Sequence, residues 1–366
     1  MSFFSQPEEI RLITNAGSAL VVSATPSTNV QFRIPRQTRW LEQIVLHANV
    51  TIGGTPSPTA NRDYLEGLFS EIRLRVSDKA GSNRFVIKAP SATLLAFHRS
   101  KAARLDRFTK RNIRAGTAAG TYDLFFPINL RHPSLNEPIG NRTCLPLFSR
   151  LANGNGLDDD AILELDCNTL ANLNLAGTGT VTVNSVRAKL VYRNAPLSLD
   201  YLPQELVSNI PTVPGTTSAS WDVPKSGFLS GMLIEEFTDT ALAVRASFLP
   251  NVTGADFFRL KYGRNVFKEF YPQELQARND YWNESLPFNG TTEVTGQTPA
   301  ITDLDFLHDT PTGDAVRGDS MLNLYSENQG DLASLEWTAA ASANARLRIT
   351  THKFLAADAL ALLAGA

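Results

Sequence analysis

The sequence predicts an all-β chain built as two tandem antiparallel sandwiches. Three observations predict it. Short runs alternate apolar and polar residues with period two. Gly-, Pro- and Asn-rich breaks separate the runs. One phrase is written twice, as "FRIPRQTRWLEQI" from Phe32 to Ile44 and as "WDVPKSGFLSGM" from Trp221 to Met232. Both copies read aromatic, charge, β-branched, proline, base, polar gap, then an aromatic-leucine pair and an apolar run.

Length and composition set the frame. At 366 residues the chain exceeds one ordinary core, which favours two domains. Apolar residues make up 43% and charged residues 19%, enough apolar surface to argue against long disorder. The net charge of −2 argues against coating nucleic acid, where affinity comes largely from neutralising phosphates. There is no run of eighteen apolar residues, and "MSFFSQPEEIRLI" lacks a basic n-region with a long apolar core, so neither a membrane helix nor a secretory signal is expected. Cys144 and Cys167 form neither a disulfide framework nor a metal-ligand spacing, and two partly buried free thiols are expected.

The first half reads as strands: "TNVQFRI", "WLEQIVLHANVTI", "EIRLRVS", "RFVIKA", "TYDLFFPINL", "AILELDCN" and "GTVTVNSVRAKLVYR". In "SEIRLRVSD", Ile72, Leu74 and Val76 point one way and Glu71, Arg73 and Arg75 the other. One helix interrupts them after Pro90, with Ser91 as its N-cap. Leu94, His98, Ala102, Leu105 and Phe108 share a face, and Arg99, Lys101, Arg104 and Arg107 lie largely opposite, which reads as an amphipathic surface helix. The segment "RNAPLSLDYLPQELVSNIPTVPGTTSAS" reads as an irregular linker. The second half supplies "SASWDV", "GFLSGMLIEEF", "LAVRASFL", "SMLNLYS", "ASLEWTAA" and "NARLRITTHKF". An aromatic and charged insertion at 253–282 reads as partly helical. Each half closes alike, with Leu163-Glu164-Leu165 then "NSVRAKLVYR", and Leu335-Glu336-Trp337 then "NARLRITTHK". The expected organisation is an N-terminal segment 1–19, a first domain with linker 20–211, and a second domain with C-terminal tail 212–366. Two β units of this size suggest two eight-stranded antiparallel jelly rolls, with short helices in their loops.

Motifs for catalysis are scarce. No phosphate-binding G-x-x-x-x-G-K-[ST] loop, H-E-x-x-H or G-x-S-x-G occurs, and the five histidines are scattered. Paired carboxylates such as Asp303 with Asp305, or Glu235 with Glu236, could serve a glycosidase but are common in loops and strands. No cofactor is expected. The oxygen-rich turn "NGNGLDDD" makes Asn153, Asn155, Asp158 and Asp160 weak metal candidates, since hard cations take such ligands. A solvated acidic turn is the plainer reading. Arg99, Lys101, Arg104, Arg107, Lys110, Arg111 and Arg114 form a basic set that suits lipid headgroups or packaged DNA, with a solvated helix face or salt bridges to a neighbouring subunit as the plainer reading. Phe257, Phe258, Tyr262, Phe267, Phe270 and Tyr271 suit a subunit interface.

The order of these segments resembles the double jelly-roll major capsid proteins of tailless icosahedral viruses, especially the membrane-containing bacteriophages of the tectivirus and corticovirus kind. "VQFRIPRQTRWLEQIVLHANVTI" resembles the opening strand pair of the first roll. "YDLFFPINLRHPSLNEPIGNRTCLPLFSRL" resembles the strand and loop before "AILELD", and "RAKLVYRNAPLSLDYLPQEL" the crossing into roll two. The resemblance spans about 20 to 355 and is one of pattern, without an invariant motif. It implies a non-enzymatic virion protein, a homotrimer forming pseudo-hexagonal capsomers that tile an icosahedral shell assembled in the host cytoplasm. It also implies neighbouring capsomers, penton and minor capsid proteins and internal membrane lipids as partners, with no sequence-specific nucleic acid. The segment before the first strand is short for this family. A rival reading is a two-domain carbohydrate- or receptor-binding protein.

Overall fold

A computed structural model describes residues 8–14, 20–22, 30–54, 56–58, 64–101, 119–132, 135, 139–170, 172–173, 175–177, 179–211, 218–237, 242, 258–270, 301–306, 321–324, 333–338 and 346–356. The all-β class expected from the sequence is the class observed. The chain divides into two units, Met1–Val207 and Ser208–Ala364.

Unit 1 begins with β1 (Glu8–Thr14), β2 (Leu20–Val22), β3 (Val30–Ile34), β4 (Trp40–Gly53), β5 (Pro56–Pro58), β6 (Phe69–Asp78) and β7 (Gly81–Ala89). After helix α1 (Ser91–Lys101) come β8 (Gly120–Asn129), the short helix α2 (Ile139–Arg142), β9 (Leu145–Pro146), β10 (Ala161–Cys167), β11 (Leu175–Gly177), β12 (Thr180–Arg193) and β13 (Gln204–Asn209). One sheet runs β1-β12-β4-β8, with β2 beside β12 and β9 beside β4. The other runs β3-β10-β6-β7, and Leu206 and Val207 of β13 lie parallel to Ile87 and Lys88 of β7. Take β1, β3, β4, β6, β7, β8, β10 and β12 as first to eighth. The sheets then read first-eighth-third-sixth and second-seventh-fourth-fifth, which is jelly-roll winding.

Alternation fills the space between the sheets. Along β4, Ile44, Leu46, Ala48, Val50 and Ile52 are buried while His47, Asn49 and Thr51 are half-buried. Ala161, Leu163, Leu165 and Cys167 do the same along β10, as do Ile72 and Leu74 along β6. Phe69 of β6 meets Phe126 of β8 edge-on at 5.3 Å, joining one sheet to the other. Trp40, fully buried at the start of β4, meets Phe148 at 5.4 Å and Tyr201 at 6.1 Å.

Unit 2 comprises β14 (Ser218–Asp222), β15 (Phe228–Phe237), β16 (Phe258–Tyr262), β17 (Asn265–Phe270), β18 (Ile301–Asp305), β19 (Leu322–Asn323), β20 (Ala333–Thr338) and β21 (Arg346–Phe354). Its sheets run β14-β20-β16-β17 and β18-β15-β21, with β19 beside β15 and β13 beside β21. With β13, β14, β15, β16, β17, β18, β20 and β21 as first to eighth, both strand orders repeat those of unit 1. Its core holds Val223, Leu229, Met232, Ile234, Phe258, Leu260, Leu304, Leu335, Trp337 and Ile349.

The duplication reaches individual residue pairs. Leu163 stands opposite Phe32, and Leu335 opposite Trp221. So the two written copies of the phrase occupy one place, the crossing from second to third strand. Pro35 and Pro224 end the second strand in each, since proline offers no N–H to a ladder. Trp40 pairs with β9 as Phe228 pairs with β19. The Leu147 N–H donates to the Arg39 carbonyl at 3.0 Å, and the Leu324 N–H to that of Gly227 at 2.8 Å. Each third strand carries a bulge at its third residue, Glu42 against β12 and Ser230 against β21.

Several expectations are corrected. Glu8–Thr14, inside the segment expected to precede the first strand, is itself a strand paired with β12. The expected linker contains β13, and its Tyr201 and Leu202 are buried. Ser91 does not cap α1. Its hydroxyl accepts the Phe69 N–H at 3.2 Å and donates to the Glu66 carbonyl, while the Leu94 N–H reaches the Pro90 carbonyl at 3.0 Å. Nor is α1 a surface helix: Thr93, Leu94, Leu95, Ala96, Phe97 and His98 are buried in succession, because it packs against β6, β8 and the turn Tyr64–Gly67. The insertion expected to be partly helical contains the hairpin β16–β17, turned at Gly263 with φ +60°, a left-handed conformation that glycine adopts without strain.

Trp40→Ala is expected to destabilise unit 1 by ~3–5 kcal/mol, as for other buried aromatic truncations. Trp40→Phe, which installs the residue unit 2 has in this place, is expected to cost less than half as much. Scanning calorimetry of the two variants reads the difference.

Candidate functional site

The acidic turn is the first candidate. It precedes β10, and Gly154 and Gly156 bend it with φ of +80° and +100°. Asp160 accepts the Arg36 N–H at 2.9 Å and the Arg33 Nε at 2.6 Å. Asp158 faces Arg150 at 2.9 Å. Asn155 is buried and donates to the Leu199 carbonyl at 2.9 Å, while Asn153 accepts the Asn155 N–H at 3.0 Å. The Arg36 N–H holds the Asp160 carboxyl below the usual range; burial opposes this and the Arg33 guanidinium adds to it. Of the proposed metal ligands, Asp160 therefore serves as anion partner of Arg33 and Arg36, which sit in the first copy of the repeated phrase, and Asp158 as that of Arg150, while Asn153 and Asn155 bond backbone groups. Among the described residues no cluster of metal-ligating side chains stands out.

A second, largely buried constellation was not anticipated. Arg84 reaches Asp78 with two nitrogens, Nε at 2.7 Å, and donates to the Gln204 carbonyl at 2.9 Å. The Tyr201 hydroxyl donates to Asp78 at 3.0 Å. Burial works against the Arg84 charge, but Tyr201 and Asp78 outweigh it and its pKa rises. Burial, and then the Asp78 charge, push the Tyr201 phenol well up. This set ties the β6–β7 hairpin to the chain leading into β13. No short motif announces it, since Tyr201 lies 123 residues from Asp78.

Unit 2 buries polar groups as well. Every residue of β15 is buried, so both faces of that strand are covered. Glu235 lies 3.6 Å from Arg348, whose guanidinium stands 4.8 Å from the Phe237 ring centre. His352 bonds Ser230 through Nδ1, and Lys353 donates to the Pro224 carbonyl at 2.9 Å. Glu235 and Glu236 are successive strand residues and point to opposite faces, which removes them as an acid–base pair. Asp303 is buried.

Among the described histidines, His98 and His47 are held in place too. His98 is buried, and burial lowers its pKa to about 4, so it stands neutral. It accepts the Asn129 N–H at 3.4 Å. His47 bonds Asp123 at 2.8 Å and stacks on Phe125 at 4.7 Å. Cys144 and Cys167 are buried thiols, and burial, with Glu42 adding, pushes Cys144 up to about 12, which suppresses its reactivity.

Of the basic set, Arg99 and Lys101 fall within α1. Arg104, Arg107, Lys110, Arg111 and Arg114 lie outside the described residues. Of the aromatic set, Phe257 and Tyr271 also lie outside them. Phe258 belongs to the unit 2 core and Tyr262 packs against it, and Phe270 ends β17. Phe267 is 48% exposed beside Val266 at 49%, 6.3 Å from the Phe306 ring. The set therefore divides between core and the exposed edge strand β17. Among the described residues, buried Asp78 meets Arg84 and buried Glu235 meets Arg348, while the exposed Val266 and Phe267 sit on the edge strand β17.

No protein-family model matches the chain, and no curated protein matches it. Solved structures do. The major capsid protein of STIV, the Sulfolobus Turreted Icosahedral Virus, matches with a TM-score of 0.60 at 14% identity, over 95% of this chain and 97% of that one. The PBCV-1 virus capsid matches with a TM-score of 0.61 at 12% identity, over 96% and 93%. The major capsid protein P2 of bacteriophage PM2 matches with a TM-score of 0.51 at 10% identity, over 95% and 98%. The fold is thus one that viral major capsid proteins share.

Asp78→Ala is expected to cost ~3–5 kcal/mol, because it leaves the Arg84 charge buried without its carboxylate. Asp160→Asn, at a half-exposed pair, is expected to cost ~0–1 kcal/mol. Urea titration separates the two. His98 adds a pH dependence. Below pH 6.5 the unfolded chain takes up a proton at His98 that the folded chain refuses until about pH 4. Stability should therefore fall as pH drops through that interval, and His98→Gln should flatten that part of the profile.

Proposed function

We propose that this chain is a major capsid protein, a non-enzymatic virion building block that associates with copies of itself. The observation that carries this reading is the full-length likeness to viral major capsid proteins, in which both units take part. Each unit is read as one jelly roll. Two similar rolls on one chain give a homotrimer six near-equivalent sides. Such a pseudo-hexagonal capsomer packs on a hexagonal lattice while keeping closed three-fold symmetry. Its mechanism is shape and surface complementarity. Net charge near zero supports the reading, since many strongly like-charged faces would repel one another.

Neighbouring capsomers are the first partners this reading implies, and the virion shell is its location. Penton and minor capsid proteins, and the lipids of an internal membrane, are the further partners that a shell of this kind calls for. The exposed Val266 and Phe267 suit an interface between protein copies, whose centres are apolar and aromatic-rich.

Light scattering behind a sizing column tests the reading. The expected species has three times the 40.0 kDa chain mass. A monomer across a wide concentration range would overturn it.

A further inference from the structure

The two units differ at one equivalent edge. In unit 1 the fifth strand, β7, is flanked by a parallel strand: Leu206 and Val207 of β13 stand beside Ile87 and Lys88. In unit 2 the fifth strand is β17, and no strand follows it in the sheet order among the described residues. Asn265, Val266, Phe267 and Glu269 are exposed there. An exposed edge is a template for another strand.

The two edges correspond residue by residue. Leu74 pairs with both Leu163 and Ile87, and Leu260 with both Leu335 and Lys268. Both hairpins bulge after that pair, at Val86 and at Phe267. Lys88 of unit 1 therefore corresponds to Glu269 of unit 2.

The strand that covers the unit 1 edge also has a counterpart. β13 is the first strand of its roll, and so is β1. "PEEIRL" from Pro7 to Leu12 parallels "PQELVS" from Pro203 to Ser208. Geometry gives the same alignment. Leu12 pairs with Lys189 on β12, and the Ser208 hydroxyl bonds Thr350 at the matching place on β21, at 2.7 Å. Val207 therefore corresponds to Arg11.

We propose that β1 of a second copy of this chain pairs in parallel with the exposed edge of β17, placing Arg11 beside Glu269 as Val207 lies beside Lys88. This rests on the self-association proposed above and names its strand-level contact. It extends one sheet across the boundary between copies, a mode of recognition in which backbone hydrogen bonds supply much of the affinity. Opposite charges would stand at these two positions, with Glu269 shared with Arg259, which already lies 2.7 Å from it. Repeated around a closed ring, each copy gives one β1 and receives one, so no β17 edge is left over.

The test uses full-length chains carrying Arg11→Cys with Glu269→Cys. Cysteines on neighbouring strands lie within disulfide reach. Mild oxidation is expected to yield covalent dimers and trimers on a non-reducing gel, which collapse to single chains on reduction. Lys88→Cys with Val207→Cys is the control, expected to bridge within one chain. A trimer in solution whose control bridges while no chains link would overturn the strand pairing and leave self-association standing. A monomer would overturn both. Hydrogen exchange on the unaltered protein gives a second reading: the amides of residues 265–269 should be protected in the assembled protein, and fast exchange there would overturn the proposal.

Discussion

The register between β4 and β12 is the constraint on which unit 1 depends. Thirteen residue pairs join these two strands. Side chains alternate with period two, so a slip of one residue would carry Ile44, Leu46, Ala48, Val50 and Ile52 from the core to the surface. With that register set, β1 and β8 find their places on either side, and Phe126 meets Phe69 of the opposite sheet. Unit 2 depends on the same pairing between β15 and β21. There both faces of the long strand are covered, which is why charged residues such as Glu235 and Arg348 are buried and meet each other.

Charge is handled in the same spirit throughout. The oxygen-rich turn is a plausible cation site on paper, yet its carboxylates are turned toward Arg33, Arg36 and Arg150. Asp78 and Arg84 repeat the device in the interior, with Tyr201 as a third member. Buried pairs of this kind add little net stability, because desolvation offsets attraction. What they contribute is position: each fixes a hairpin or turn to a segment far away in the chain.

Much of the fold was legible in the chain itself. The alternation of Ile72, Leu74 and Val76 with Glu71, Arg73 and Arg75 gave β6 its inner and outer faces. The doubled phrase marked equivalent crossings, and the L-E-x pairs at 163–165 and 335–337 marked equivalent seventh strands. A third doubled phrase went unread: "LPLFS" from Leu145 and "LNLYS" from Leu322, whose opening residues pair with the third strand in each unit. β1 and β13 were missed because each is short and follows a proline, a context that reads as linker. The hairpin β16–β17 was masked by aromatics and charges that hide its alternation. The candidate surfaces were less legible. Whether Phe258 or Phe267 is exposed depends on which strand lies alongside, and that is a long-range fact.

The bulge at the third residue of each third strand shows what a tandem repeat permits. In both copies the bulged residue turns its carbonyl to the strand next to it: Glu42 accepts from Leu130 at 2.8 Å and Ser230 from Phe306 at 3.0 Å. The side chains have parted company. Glu42 grips Arg193 with both carboxylate oxygens, and Ser230 takes His352. The backbone bend is the same in both units while its side-chain chemistry differs. A ring made from identical single rolls would stamp any such change on every position at once. With both copies on one polypeptide, evolution can edit alternate positions independently, so a symmetric scaffold acquires two distinguishable kinds of face.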